Sequence, residues 1–369
     1  MDNAEIRVLH VLDILSPASG VACVVMNCIK GLPHVLQDVV VYGQCDSDME
    51  AQIRACGGVV YKLPDITKSF GQHFGIEFSK LLQTQKYAIV HGHLINSAFI
   101  YLRLAKAASV PHRIIHSHSA VSADVFYKKI RNNLLAKLIP FYATDYIAVS
   151  ESAAANAFGK KAATTNIIFN GIDSDRFRFN PELRKEVRHE LGLSDDTLCV
   201  GHVARLVALK NQDFLLDVFH KISQMENSVL VIAGEGSMAQ SLEAKVRELD
   251  LSECVKFLGK RNDSQRLYQA FDVFLLPSLS EGFGLAALEA QCAGLPCIVS
   301  NQVPQAIACG DNIQFLPLGN VMAWADTAVN MSKSLRTDGF TGVTAAKLDV
   351  HTMCNEILKV YESLVVRDS

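Results

Sequence analysis

Residues 272–300 read DVFLLPSLSEGFGLAALEAQCAGLPCIVS, and this stretch decides the architecture. Asp272 to Leu276 is a short apolar run closed by Pro277, the pattern of a buried strand that must stop because proline cannot donate to a sheet ladder. Ser278, Ser280, Gly282 and Gly284 then supply a turn, Leu285 to Cys292 reads as a helix ending at Gly294, and Pro296 opens the next strand. Strand, turn, helix and strand make one unit of a parallel α/β sheet. Glu281 falls on the loop at the carboxyl end of the first strand and Glu289 on the helix behind it. About one and a half helical turns separate them, so both carboxylates can line one crevice. In doubly wound sheets ligands collect at that edge, where free N–H groups of a helix start attract anions and hydroxyl oxygens. Taken alone, two such acids are more often a solvated loop residue and a salt-bridged helix residue; their context argues otherwise.

The same alternation runs through the chain. Strands are expected at Ile6–Leu12, Val39–Tyr42, Val59–Leu63, Ala88–His91, Arg113–Ile115 and Tyr146–Ser150, with helices at Val21–Gly31 and Gly75–Gln85. Further on, strands are expected at Leu198–Ala204, Val229–Ala233 and Val255–Leu258, a helix capped by Asn211 runs to Gln224, and Val350–Val365 forms an amphipathic helix. With 369 residues, the chain has room for two domains of about 150 to 200 residues each. A hydrophobic share of 49% sets it apart from disordered chains. The net charge of −3 speaks against a nucleic-acid binder, and the balance runs from +4 over residues 1–172 to −7 beyond. None of the ten cysteines forms a C-x-x-C pair, so they read as small hydrophobes of a reducing cytosol. The first residues lack a basic n-region, and no apolar run reaches about 18 residues, so neither a signal peptide nor a membrane span is expected.

Several loops carry chemistry. Arg205 and Lys210 flank the turn between a strand and a helix start, a combination that cradles a diphosphate without a Walker glycine loop. His91 and His93 follow one strand, His116 and His118 another. Four strand-end histidines suggest a metal, but with no cysteine or carboxylate at ligand spacing the expectation is that none is bound. The Ser19-Gly20 turn is not a G-x-G-x-x-G, which disfavours a nicotinamide dinucleotide enzyme. Residues 124–142 mix Lys128, Lys129, Arg131 and Lys137 with a helical stripe of Phe126, Ile130, Leu134 and Leu138. That pattern fits an ordinary solvated helix or one that rests on an anionic membrane surface.

The string P-S-x-x-E-G-F-G-L-x-x-L-E-A, together with V-A-R-L-x-x-x-K-N from Val203 and N-G-I-D-x-x-x-F from Asn170, resembles the retaining nucleotide-sugar glycosyltransferases of the GT-B fold with an E-x7-E motif, including those of exopolysaccharide and capsule synthesis. The resemblance implies two facing Rossmann-like, doubly wound domains with the active site in the cleft between them. The first would span 1–172, with helix 350–366 packed back on it, and the second, 173–349, would bind the donor. It implies that Arg205 and Lys210 hold the diphosphate, Glu289 the ribose, and Glu281 with the N–H groups of Gly282, Phe283, Gly284 and Leu285 the sugar. Gly259, Lys260 and Arg261 would meet the base, His118 the donor sugar beside His116, and Gly20 the acceptor or the diphosphate. Two departures stand out. Ala204 replaces a common glycine, and Val-Ala-Cys follows Gly20 where the family often has glycine, a small residue and glutamate. The expected partners are a nucleotide sugar, most often UDP-linked, and a saccharide or lipid-linked acceptor, with no cofactor and no nucleic acid. The expected location is the cytoplasm, either free there or peripheral on the inner face of the membrane. A UDP-N-acetylglucosamine 2-epimerase of the same fold is the alternative, ahead of a silent binding protein.

Overall fold

Valine-, isoleucine- and leucine-rich runs with no polar alternation can be buried only if both faces of a sheet are covered, and they form two parallel sheets flanked by helices. The computed structural model of the protein describes residues 6–17, 19–118 and 137–367. These residues divide into two units, Met1–Gly171 with Val350–Ser369, and Ile172–Asp349.

In the first unit the chain runs through β1 (Arg7–Leu12), α1 (Gly20–Gly31), β2 (Leu36–Val41), α2 (Ser47–Ala55) and β3 (Val60–Lys62). It continues through α3 (Gln72–Thr84), β4 (Ile89–Gly92), α4 (Ala98–Ala107), β5 (His112–Ser117), β6 (Asp145–Ala148), α5 (Glu151–Phe158) and β7 (Asn166–Ile167). The sheet order is β3-β2-β1-β4-β5-β6-β7, so the winding reverses between β1 and β4. The second unit holds α6 (Ser174–Phe177), α7 (Pro181–Glu190), β8 (Leu198–Val203), α8 (Gln212–Met225), β9 (Ser228–Ala233), α9 (Ala239–Glu248) and β10 (Val255–Phe257). After these come α10 (Ser264–Ala270), β11 (Val273–Leu276), α11 (Leu285–Cys292), β12 (Cys297–Ser300), β13 (Ile313–Leu316), α12 (Val321–Ser332) and α13 (Gly339–Ala345). Its order, β10-β9-β8-β11-β12-β13, repeats the first, with the reversal between β8 and β11. The helix α14 (Val350–Arg367) then belongs to the first unit, where it packs on α1.

Two carboxylates set against the sheets are fully matched. Asp38, inside β2, accepts hydrogen bonds from Arg7 (2.8 Å), the Tyr87 hydroxyl (2.8 Å) and the Val59 N–H (2.8 Å). Asp272, which opens the stretch quoted at the start, is held by Arg184 (2.6 Å) and Arg188 (3.1 Å) of α7 and by the Cys199 N–H (2.7 Å). Arg336 donates to the carbonyls of Tyr268, Gln269 and Phe271, where the negative end of α10 needs donors. Burial draws the Arg336 guanidinium down to about 9.

The structure corrects two local expectations. Asn211 does occupy the position before α8, but in the left-handed region (φ 55°) and without a side-chain cap. The basic amphipathic segment lies outside the described residues except for 137–142, which form a turn and the single 3-10 turn Ile139–Phe141 instead of a helix. No described helix is long and apolar enough to cross a membrane.

Candidate active site

In the second unit the strand-order reversal brings two loops side by side. One follows β8 and carries Arg205 and Lys210; the other follows β11 and carries Ser278 to Gly284. They are tied by a backbone bond from Leu279 N–H to Leu209 C=O (2.8 Å) and by Lys210 Nζ on Glu281 Oε1 at 2.6 Å. The same carboxylate oxygen accepts from Ser278 Oγ (2.7 Å). Lys210 and Glu281, named separately from the sequence, are therefore one ion pair, largely shielded from water. Arg205 is exposed, and its guanidinium has no protein partner among the described residues.

Two side chains missed in the sequence hold the Arg205 loop. His202 on β8 contacts Leu275 C=O through Nδ1 (2.8 Å), and Gln212 reaches both His202 Nε2 (3.3 Å) and Arg205 C=O (2.9 Å). The carbonyl makes His202 Nδ1 the donor and leaves Nε2 as the acceptor for Gln212. Burial lowers the imidazole to about 4, so it stays neutral. A histidine inside an apolar run signals some such polar partner, but does not say which.

Helix starts mark the same edge of the sheet. The helices α6, α7, α12 and α13 are each capped by an Asp or Asn side chain. By contrast α8, α9, α10 and α11, the four that directly follow β8 to β11, have no side-chain cap. Their first N–H groups and positive dipole ends thus face the carboxyl edge unneutralised by a capping side chain, which suits an anion. At α11 the chain enters through Gly284 at φ 99°, where a Cβ would also press on the Val303 side chain at 3.0 Å. Phe283 is buried.

Glu289 on α11 accepts a hydrogen bond from the Tyr268 hydroxyl (2.8 Å). Burial raises its carboxyl to about 7, more than the Tyr268 bond and the charge of Arg176 lower it. Gly259 follows β10 at φ 64°, and its carbonyl accepts from Gly234 N–H (2.8 Å). Arg261 is held by Asp263 through two 2.7 Å bonds.

The first unit carries the remaining candidates. Gly20 is the first residue of α1, whose N-terminus Ser19 caps through Ala22 N–H (3.3 Å). The histidines form one cluster, and a fifth, His10 on β1, joins them. The contacts are His10 Nδ1 to His93 Nε2 (2.9 Å), His93 Nδ1 to His118 Nε2 (3.0 Å), His91 Nε2 to His116 Nδ1 (3.3 Å), and His91 Nδ1 to the Tyr361 hydroxyl of α14 (2.6 Å). His10 lies 83 positions from His93, so local spacing does not disclose it. Two overlapping trios, His10/His91/His93 and His93/His116/His118, place ligand atoms within 4.8 Å of one another. Burial lowers all five imidazoles, His10 to about 4 and His118 to about 3.

Comparison with known proteins agrees with this geometry. The family described as glycosyl transferases group 1 matches residues 184–314, and glycosyltransferase family 4 matches residues 18–176. EpsF of Bacillus subtilis (strain 168), whose own description as a glycosyltransferase is provisional, is 30% identical over all of this chain and 99% of its own length. The capsular polysaccharide biosynthesis glycosyltransferase CapH of Staphylococcus aureus is 26% identical over 80% of this chain and 81% of its own. Among solved structures, Anabaena HepE in complex with UDP and glucose superposes with a TM-score of 0.82 at 20% identity, over 97% of this chain and all of that one. Two parallel sheets with the same winding and a near full-length relative settle the family: the chain is a glycosyltransferase of GT-B architecture, belonging to group 1 and family 4.

Proposed function

We propose that the protein is a retaining enzyme that moves a sugar from a UDP-linked donor to a saccharide or lipid-linked acceptor in polysaccharide synthesis, without a metal. The observation that carries this reading is the pairing of two cationic side chains with uncapped helix starts at the strand-order reversal of the second unit. An arginine, a lysine and helix dipoles supply the positive charge that a departing diphosphate needs and that a divalent ion supplies elsewhere. The relatives support the donor and acceptor classes. One of them, 31% identical over 61% of each chain, is the Escherichia coli UDP-Gal:alpha-D-GlcNAc-diphosphoundecaprenol alpha-1,3-galactosyltransferase, and CapH is named for capsular polysaccharide.

Arg205 and Lys210 hold the diphosphate, strengthening as the glycosidic bond breaks. Glu289 accepts from the ribose hydroxyls. Glu281 and the backbone of Gly282, Phe283, Gly284 and Leu285 hold sugar hydroxyls, the Gly259 to Arg261 loop meets the base, and His118 accepts from a sugar hydroxyl with His116 beside it. Gly20 lies where acceptor or diphosphate approaches backbone. The bond from the anomeric carbon to the phosphate oxygen breaks while the acceptor oxygen attacks the same face, and its proton passes to the leaving phosphate.

The test is a panel of nucleotide sugars with isolated acceptor lipids or saccharides, scored for product and anomeric configuration. An inverted product overturns retention, and an isomerised sugar released without acceptor marks an epimerase instead. Turnover is expected to survive EDTA; loss on chelation with recovery by Mn²⁺ or Mg²⁺ sinks the metal-free reading.

For Glu289 the sign of the pH effect follows from its raised carboxyl. Below about 7 the group is protonated and accepts hydroxyl hydrogen bonds poorly, so the donor KM is expected to rise as pH falls through that region. Glu289→Gln should raise KM with little change in kcat and flatten this pH dependence. An unchanged KM with a collapsed kcat contradicts the ribose role.

Docking on anionic lipid rests on Lys128, Lys129, Arg131 and Lys137, at roughly 1 kcal/mol each. Co-sedimentation with anionic vesicles at low salt, lost at high salt, is the expected result; equal binding to neutral vesicles removes the electrostatic argument.

A further inference from the structure

The histidine cluster contains more order than a set of buried rings requires. His10 of β1 is the register partner of His91 of β4, and Gln37 of β2 is opposite Val8, two residues before His10, so Gln37, His10 and His91 share one face of the sheet, with His93 and His118 just beyond the ends of β4 and β5. Gln37 anchors one end. Its Nε2 donates to the carbonyls of Cys28 (3.2 Å) and Leu32 (3.4 Å), so its Oε1 is the atom facing His10 Nε2 at 3.0 Å. Two carbonyls on one side of the amide decide its orientation.

Once Gln37 offers only an acceptor, every later proton follows. A neutral imidazole has one N–H and one lone pair. His10 must donate from Nε2 to Gln37, so its Nδ1 accepts from His93 Nε2–H. His93 Nδ1 is then a lone pair and accepts from His118 Nε2–H. This leaves the lone pair of His118 on Nδ1, an atom shielded from solvent that completes no hydrogen bond with any described residue. The Asn170 side chain lies beside it and favours its charged form, without making a bond of normal geometry. Burial keeps the rings of this chain neutral near pH 7.

We propose that Gln37, His10 and His93 are positioning residues: a one-way hydrogen-bond chain that fixes His118 as its Nε2–H tautomer and dedicates Nδ1 to accepting a hydrogen bond from a substrate hydroxyl. The substrate half rests on the reading of His118 given under Proposed function; the chain itself does not. It acts only through His118. A hydroxyl finds an acceptor already in place, whereas an Nδ1–H tautomer would meet the same hydroxyl as a second donor.

The experiment reads tautomers directly, by ¹⁵N NMR of histidine-labelled full-length protein with resonances assigned by single His→Asn substitutions. In the wild type the expected result is a protonated Nε2 and a bare Nδ1 on His10, His93 and His118. Gln37→Met, close in shape but without an acceptor, should turn the His118 signals toward a mixture. Gln37→Glu, which keeps an oxygen facing His10, should restore them. In kinetics Gln37→Met should cost about three- to tenfold in kcat/KM, the scale of one hydrogen bond. Added to His118→Ala it should cost nothing further, because the chain has no other outlet.

Additive losses in that double variant, or a wild-type His118 protonated on Nδ1, overturn the proposal. So does a stoichiometric transition metal in the purified protein whose removal shifts these resonances, since the same nitrogens would then be ligands. If the tautomers are as expected but saturating UDP-sugar leaves His118 Nδ1 unmoved, the chain stands and the substrate contact of His118 falls.

Discussion

Lys210→Ala is expected to lower kcat/KM by about 30- to 1000-fold, corresponding to roughly 2–4 kcal/mol of transition-state stabilisation, the range for losing one preorganised charge-stabilising group. Arg205→Ala should fall in the same range, but the two should not behave alike. Lys210 neutralises Glu281 at 2.6 Å, whereas Arg205 has no carboxylate to release among the described residues. Removing the lysine leaves Glu281 as an uncompensated anion beside the diphosphate position, so the donor KM should rise in Lys210→Ala more than in Arg205→Ala. Steady-state kinetics of both variants decide the matter. Turnover within threefold of wild type in both would remove the phosphate assignment, and equal KM values would mean that Glu281 does not face the donor.

Asp272→Ala should destabilise the protein by about 3–5 kcal/mol, the usual cost of removing one partner from a buried ion pair. Arg188 is 4% exposed and has its Asp272 contact at 3.1 Å, and the same carboxylate accepts the Cys199 N–H and Arg184. Alanine leaves a guanidinium in the interior with only carbonyls for company. The thermal midpoint should drop by about 10 °C, read by calorimetry with the two units resolved where they separate. A shift below about 2 °C would mean that Arg188 finds another counterion or water.

Much of the fold could be read because parallel strands buried on both faces announce themselves as unbroken apolar runs. Leu285–Cys292 comes out to the residue, since Gly284 and the Gly294-Leu295-Pro296 end give it clear stops. Two helices were overlooked, the second although Asp46 caps its start and Gly57 follows its end. Ala98–Ala107 follows β4 through a 3-10 turn and starts without a side-chain cap, and Ser47–Ala55 is polar outside Met49 and Ile53. In the site, most motif residues were visible because they sit where a strand meets a helix. Their partners were not. Lys210 and Glu281 are 71 positions apart, His10 and His93 are 83 apart, and Asp272 meets arginines more than 80 positions away, distances over which no local pattern carries information.

The placement of α14 bears on the order in which the protein can be made. A ribosome releases residues 172–349 as one continuous piece, able to close its sheet as soon as it emerges. The first unit has to wait. Tyr361, fully buried and bonded to His91, and Cys354, seated where a Cβ on Gly31 would collide with it, arrive only after the whole second unit has been translated. The half synthesised first is thus the half finished last, and its histidine cluster stays open on one side until the final helix docks.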